Sequence, residues 1–259
     1  MEQEVLYQVR DHVAYVTINR PSRRNALNLS ATSELIRRFC EAGEDPDVWA
    51  VLLTGAGDKA FCAGGDLKEF DELARQGTRF PMPMTGPERN LFEVVLETYK
   101  PVIAAINGPV LAGGCELALA CDLRIAADHA TLGMPEAKRG MGANYATVLL
   151  PRLVPRAIAL EMLYTGDPLS AEQAERWGLF NKVVPGESLR EASETFVRGI
   201  VANAPLTLRR YKEMTTKGWE LSVHQALRLN AGPNPYLSED REEGIRAFIE
   251  KRQPQWAGR

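Results

Sequence analysis

One stretch restricts the fold of this chain more than any other: residues 101–121 hold a single charge, Glu116, and two glycine breaks. Its first part, Pro101-Val102-Ile103-Ala104-Ala105-Ile106-Asn107-Gly108, is continuously apolar and β-prone, the pattern of a strand buried on both faces. Its last part, Cys115-Glu116-Leu117-Ala118-Leu119-Ala120-Cys121, is apolar all round, so a helix there must be enclosed by protein. The whole stretch is too short and too rich in glycine to span a bilayer. Val48-Trp49-Ala50-Val51-Leu52-Leu53-Thr54 repeats the strand pattern and ends at Gly55. Two doubly buried strands among helix-period segments point to an α/β arrangement.

At 259 residues, with 45% hydrophobic and 25% charged, the chain has the size and usage of a globular domain with a large core. Its 31 basic and 34 acidic residues set up no global field for nucleic acid or anionic lipid, so neither a nucleic-acid partner nor a membrane is expected. Met1-Glu2-Gln3-Glu4 is acidic and polar, unlike a secretory signal, which points to the cytoplasm. Cys40, Cys62, Cys115 and Cys121 have neither CxxC spacing nor a nearby His, and read as small buried hydrophobes.

Residues 5–9 and 13–18 alternate as a hairpin around Arg10-Asp11-His12. Ser30, Ser33 and Glu34 have the chemistry of a helix start, with Leu35, Ile36 and Phe39 turned inward and the helix running to about Ala42. Further helices are expected at 66–76 and 87–99, separated by a Pro/Met/Gly-rich loop at 77–86 that is the segment expected to move most. Residues 122–127 return to strand. From Ala157 onward helical periods dominate, at 157–163, 171–177, 188–204, 206–217, 224–229 and 238–251, with one short strand at 182–184. The chain is therefore α/β first and helical last, divided into a core at 1–200 and a helical region at 201–259.

Several patterns compete to carry chemistry. Gly55-Ala56-Gly57-Asp58-Lys59-Ala60 after a strand imitates a dinucleotide fingerprint, but Phe61-Cys62-Ala63-Gly64-Gly65 follows where the motif needs a helix. No GxSxG elbow or HExxH occurs, and His12, His129 and His224 are scattered, so neither a hydrolytic triad nor a metal site is expected. More informative are two glycine loops, Ala63-Gly64-Gly65-Asp66 and Ala112-Gly113-Gly114-Cys115-Glu116, each opening a helix. Unpaired N–H groups at two facing helix starts stabilise an oxyanion, although tight strand-to-helix turns alone also use such glycines. Glu116 is costly in its apolar helix unless it is ion-paired or works as an acid or base. Glu136, after Pro135, reads by itself as a capping or surface residue.

Together these segments resemble a known family. Asn19-Arg20-Pro21 with Asn25-Ala26-Leu27, Ala60-Phe61-Cys62-Ala63-Gly64-Gly65-Asp66-Leu67, residues 107–117 from Asn107-Gly108-Pro109 to Gly113-Gly114-Cys115-Glu116-Leu117, Pro135-Glu136 and Thr165-Gly166 are similar, in this order, to the enoyl-CoA hydratase/isomerase (crotonase) superfamily. The resemblance runs from about Val5 to Trp256. It implies a spiral of repeated ββα units with a helical C-terminal trimerisation region, and a homotrimer or a homohexamer built as a dimer of trimers.

It also implies site roles. The N–H groups of Gly65 and Gly113 would form the oxyanion hole for the thioester oxygen of an acyl-CoA, with Glu116 and Glu136 as the catalytic pair of a hydratase. Asn25, Ala26, Leu27, Ala63, Asp66 and Leu67 fall on the CoA-binding segments, with Arg23 and Arg24 near its phosphates. Phe248 and Lys251 fall where a C-terminal helix approaches the acyl-CoA site, sometimes from a neighbouring subunit. No cofactor is implied, because coenzyme A is part of the substrate. Reversible hydration of a 2-enoyl-CoA is the expected activity; a Δ3,Δ2-enoyl-CoA isomerase, or a non-catalytic acyl-CoA- or RNA-binding member of the fold, are the alternatives. The chain departs from the family pattern at Gly140-Met141-Gly142-Ala143-Asn144-Tyr145-Ala146-Thr147, about one residue short, where Asn144 or Tyr145 is expected either to replace a contact to the catalytic water or to narrow the pocket. Met82, Met84, Phe92 and Tyr145 are further candidates for lining it.

Overall fold

The computed structural model describes residues 3–78 and 88–259. The Pro/Met/Gly-rich loop, with Met82 and Met84, falls almost wholly outside them. The expected hairpin forms: β1 (Val5–Arg10) pairs antiparallel with β2 (Val13–Ile18) across a turn in which Asp11 and His12 both take positive φ. Helix α1 (Leu29–Glu44) follows. It starts earlier than the Ser30 pattern indicates, because the Asn28 side chain accepts the Ala31 N–H and is itself held by Glu4. Its buried residues, Ala31, Leu35, Phe39 and Ala42, recur at helical spacing and lay one stripe on the sheet.

β3 (Ala50–Gly55), β4 (Val102–Ile106), β6 (Leu123–Ala127) and β9 (Lys182–Val184) extend the sheet in parallel from β2, in the order β1-β2-β3-β4-β6-β9. Every residue of β4 is buried, as its apolar run requires. One face packs Val16, Val51, Leu53, Ala104 and Ile106 against α1, α3 (Leu91–Leu96) and α4 (Gly113–Ala120). The other packs Val13, Leu52 and Ile103 against Val197 of α8 (Leu189–Val201). α2 (Leu67–Arg75) follows the first glycine loop, which is irregular where a dinucleotide fold would already be helical.

The remaining helices are α5 (Asn144–Leu153), α6 (Arg156–Thr165), α7 (Ala171–Arg176), α9 (Pro205–Gly218), α10 (Val223–Ala226) and α11 (Glu239–Glu250). α9 docks on the core through buried Lys212, whose Nζ meets Asp122 Oδ2 at 2.8 Å and the Lys100 carbonyl at 3.1 Å. Cys62, Cys115 and Cys121 are buried as expected, whereas Cys40 is only half-buried.

A second, small sheet positions the site. β5 (Val110–Leu111) runs parallel to β7 (Thr131–Gly133), which pairs antiparallel with β8 (Leu169–Ser170). Because β5 and β7 are parallel neighbours, the segments leaving their ends emerge side by side: α4 from β5, and the 3-10 turn Pro135–Arg139 from β7. Segment 60–65 joins the other side of β5, with Phe61 N–H on the Pro109 carbonyl (3.1 Å) and Leu111 N–H on the Cys62 carbonyl (3.0 Å). Contact there is too close for side chains; a methyl at Gly114 would stand 2.3 Å from the Cys62 carbonyl oxygen. Between β5 and α4, Ala112 takes φ 54° and ψ −130°, a conformation that costs a residue with a Cβ on the order of 1–3 kcal/mol. The ladder bond from its N–H to the Gly133 carbonyl (3.0 Å) holds it there.

Candidate active site

The two glycine loops meet. A methyl at Gly113 would lie 3.9 Å from the Gly65 nitrogen, and one at Gly64 3.1 Å from the Gly113 nitrogen. Leu27 bridges to the first loop, its N–H donating to the Gly64 carbonyl and its carbonyl accepting the Asp66 N–H. The N–H groups of Gly65 and Gly113 donate to no other group among the described residues. Gly113 opens α4, so its N–H also sits at the positive end of the helix. Arg124 completes α4 at the far end, its Nη1 donating to the carbonyls of Ala118 (3.1 Å) and Cys121 (2.7 Å).

One turn into α4, Glu116 is buried, with 7% exposure. Its Oε1 accepts the N–H groups of Tyr145 and Ala146, each at 2.9 Å. Those are first-turn donors of α5, whose own start at Ala143 supplies no side-chain cap. Glu116 therefore caps α5 from a different helix. Burial pushes its carboxyl up to about 7; the Ala146 and Tyr145 N–H groups oppose that rise, and nearby Glu136 adds to it. Glu136 is buried too, contrary to the capping or surface role its own sequence indicates, because the β5–β7 pairing brings its turn into the interior, where it packs on α6. Its Oε2 is buried without a hydrogen-bond partner among the described residues, and burial raises its carboxyl.

Both carboxyls line one cavity of about 240 Å³ with Ala63, Gly65, Leu67, Ala112, Gly113 and Tyr145. Phe92 lines it as well, its ring 5.3 Å from that of Tyr145. Sequence reasoning did not single out Phe70, Leu111, Arg139 or Met141 in the wall. Only their neighbourhood to the glycine loops and to Glu136 signals them.

Other expected positions have different surroundings. The Asn25 side chain is committed inside the protein, its Nδ2 donating to the carbonyls of Ala56 (2.9 Å) and Ala60 (2.8 Å) and its Oδ1 accepting the Arg20 N–H (3.0 Å). Ala26 and Leu27 are buried beside it, and Arg20 also donates to the Ala26 carbonyl. Asp66 caps α2 and pairs with Arg20 at 2.9 Å. Burial pushes its carboxyl up, but Arg20 and the adjacent N–H groups outweigh this and leave it below its ordinary value. Arg23 and Arg24 are exposed. Phe248 is 85% exposed and borders a separate groove with Tyr211, Tyr236 and Trp256. Lys251 ends α11 in a left-handed conformation, and neither residue lines the cavity that holds the glutamates.

A cavity with two unpaired N–H donors on one wall and two buried carboxyls above them suits a substrate that becomes an oxyanion while a proton moves. The comparisons with known proteins agree. The sequence pattern of the enoyl-CoA hydratase/isomerase family matches residues 8–259, and the chain belongs to that family. Its similar relatives include the (E)-benzylidenesuccinyl-CoA hydratase of Thauera aromatica, 37% identical over 98% of this chain and 99% of that one. The short-chain-enoyl-CoA hydratase of Clostridium acetobutylicum is 38% identical over 96% and 95%. Among solved structures, an enoyl-CoA hydratase from Mycobacterium tuberculosis H37Rv superposes with a TM-score of 0.88 at 35% identity, covering 100% of both chains.

The cap predicts a distinction between two substitutions. Glu116→Gln keeps an acceptor for the α5 N–H groups and removes a carboxyl whose raised pKa makes the folded state lose stability as pH rises from about 4.5 through about 7. Glu116→Ala strands two buried donors, at about 1–3 kcal/mol each. Chemical denaturation at pH ~8 is expected to find the Gln variant as stable as the parent, or more so, and the Ala variant several kcal/mol weaker. Equal losses in both would refute the cap.

Proposed function

We propose that this protein hydrates a 2-enoyl-CoA reversibly to the 3-hydroxyacyl-CoA, with coenzyme A as part of the substrate and no further cofactor. The observation that carries the reading is the cavity itself, in which the unpaired N–H groups of Gly65 and Gly113 share one space with Glu116 and Glu136. The thioester oxygen accepts from both glycines. As water adds at Cβ, charge collects on that oxygen, and each fixed donor favours the enolate over the ground state by about 3–4 kcal/mol.

The two carboxyls divide the proton work. Glu116, whose ionised form is held by two α5 N–H groups, takes a proton from the attacking water. Glu136, with an oxygen buried and undonated, keeps its proton and delivers it to Cα. A hydroxyl is thus added to Cβ and a hydrogen to Cα, and the reverse step eliminates water. The relatives' names specify different acyl groups, so family membership leaves the acyl group open.

The helical region at 201–259 exposes Val223, Leu227, Tyr236, Leu237, Phe248 and Ile249, each at least 72% accessible. We assign this surface to assembly into a trimer or a dimer of trimers, in which Phe248 and Lys251 reach the acyl-CoA site of a neighbouring subunit. A sedimentation mass of three or six chains is expected; a monomer contradicts the assignment.

Purified protein is expected to bleach the conjugated absorbance of a 2-enoyl-CoA. Glu116→Gln and Glu136→Gln should each lower kcat by roughly 10²–10⁴. In the parent, kcat/KM should fall as pH drops through about 7 and Glu116 takes up a proton, a limb that Glu116→Gln abolishes. Full activity in either variant would contradict the two-carboxyl mechanism.

A further inference from the structure

Besides the two glutamates and Tyr145, the cavity wall that continues from Glu136 into α5 carries two polar side chains, the exposed Arg139 and the half-buried Asn144. Arg139 is the only cationic side chain lining the cavity among the described residues. It has no ion-pair partner among them, and its one hydrogen bond runs from Nη1 to the Pro135 carbonyl at 3.3 Å. The adjacent Lys138 differs, being paired with Asp167 at 2.5 Å. The Asn144 carboxamide likewise makes no hydrogen bond among the described residues. Leu67, Phe70 and Met141 supply the carbon-binding surface beside them.

A free guanidinium presents a planar fork that matches a carboxylate, and the Glu116 carboxylate already in the cavity repels a further anion unless a cation offsets it. We propose that Arg139, with Asn144, recognises a free carboxylate on the acyl group, so that the preferred substrate is the CoA thioester of an unsaturated dicarboxylic acid. This rests on the enoyl-CoA reading above. Coenzyme A offers other anions, its phosphates, but the whole pantetheine arm separates them from the thioester. Arg139 follows Glu136 by one turn of the same 3-10 segment and lines the same cavity, which places the charge at the reacting end.

The test measures binding by calorimetry with two saturated probes of equal carbon count, glutaryl-CoA and pentanoyl-CoA, on the parent, Arg139→Gln and Arg139→Lys. The parent is expected to bind glutaryl-CoA roughly 10- to 100-fold more tightly than pentanoyl-CoA. Arg139→Gln should collapse that ratio towards one, and Arg139→Lys should restore part of it. Equal binding of both probes by the parent overturns the proposal. So does an equal weakening of both probes in Arg139→Gln, which would place the guanidinium on the CoA phosphates. A preserved preference for glutaryl-CoA without hydration of any 2-enoyl-CoA would instead overturn the hydratase reading and leave the carboxylate site standing.

Discussion

The site depends on one interaction, the capping of α5 by the buried Glu116 carboxylate. A helix start without a side-chain cap needs an acceptor, and a carboxyl in an apolar helix needs donors. Each supplies what the other lacks. The contact fixes the position of Glu116 in the cavity it shares with Gly65 and Gly113 and pins the helix start that brings Asn144 and Tyr145 to the cavity wall. Two N–H bonds favour the ionised form while burial opposes it, and the balance leaves the group near neutrality rather than at an ordinary carboxylate value.

The small sheet β5-β7-β8 does comparable work for Glu136. Parallel pairing of two very short strands sends α4 and the Pro135–Arg139 turn out together, which joins a helix start and a carboxylate separated by more than a dozen residues of sequence. Placing Ala112 in a glycine-like conformation stores strain at the helix start that carries a proposed oxyanion donor, and the Gly133 carbonyl bond opposes its release.

Much of this was legible in the sequence. The hairpin, the two buried strands, the enclosed helix and the glycine loops follow from local patterns whose physical meaning does not depend on distant partners. The charge on Glu116 inside residues 101–121 announced its own cost. Other features depend on contacts the local sequence does not contain. β5 and β8 are two residues each, too short to show a period. α5 hides behind Gly140, Gly142 and Pro151, which read as breakers, and its cap comes from another helix. Glu136 reads as a capping or surface residue because its burial comes from the β5–β7 pairing. Asn25 resembles a ligand-groove residue, yet its side chain is spent on the turn that carries Ala56 and Ala60.

Burial against α5 leaves Glu116 titrating near neutrality within the folded protein. Isotope-edited infrared titration of 13C-carboxyl-labelled glutamate, with the Glu116 band identified by its loss in Glu116→Gln, measures this directly. A midpoint at about 7 is the predicted result. A midpoint at the ordinary glutamate value of about 4.3 would show a solvated carboxyl and contradict its burial against α5.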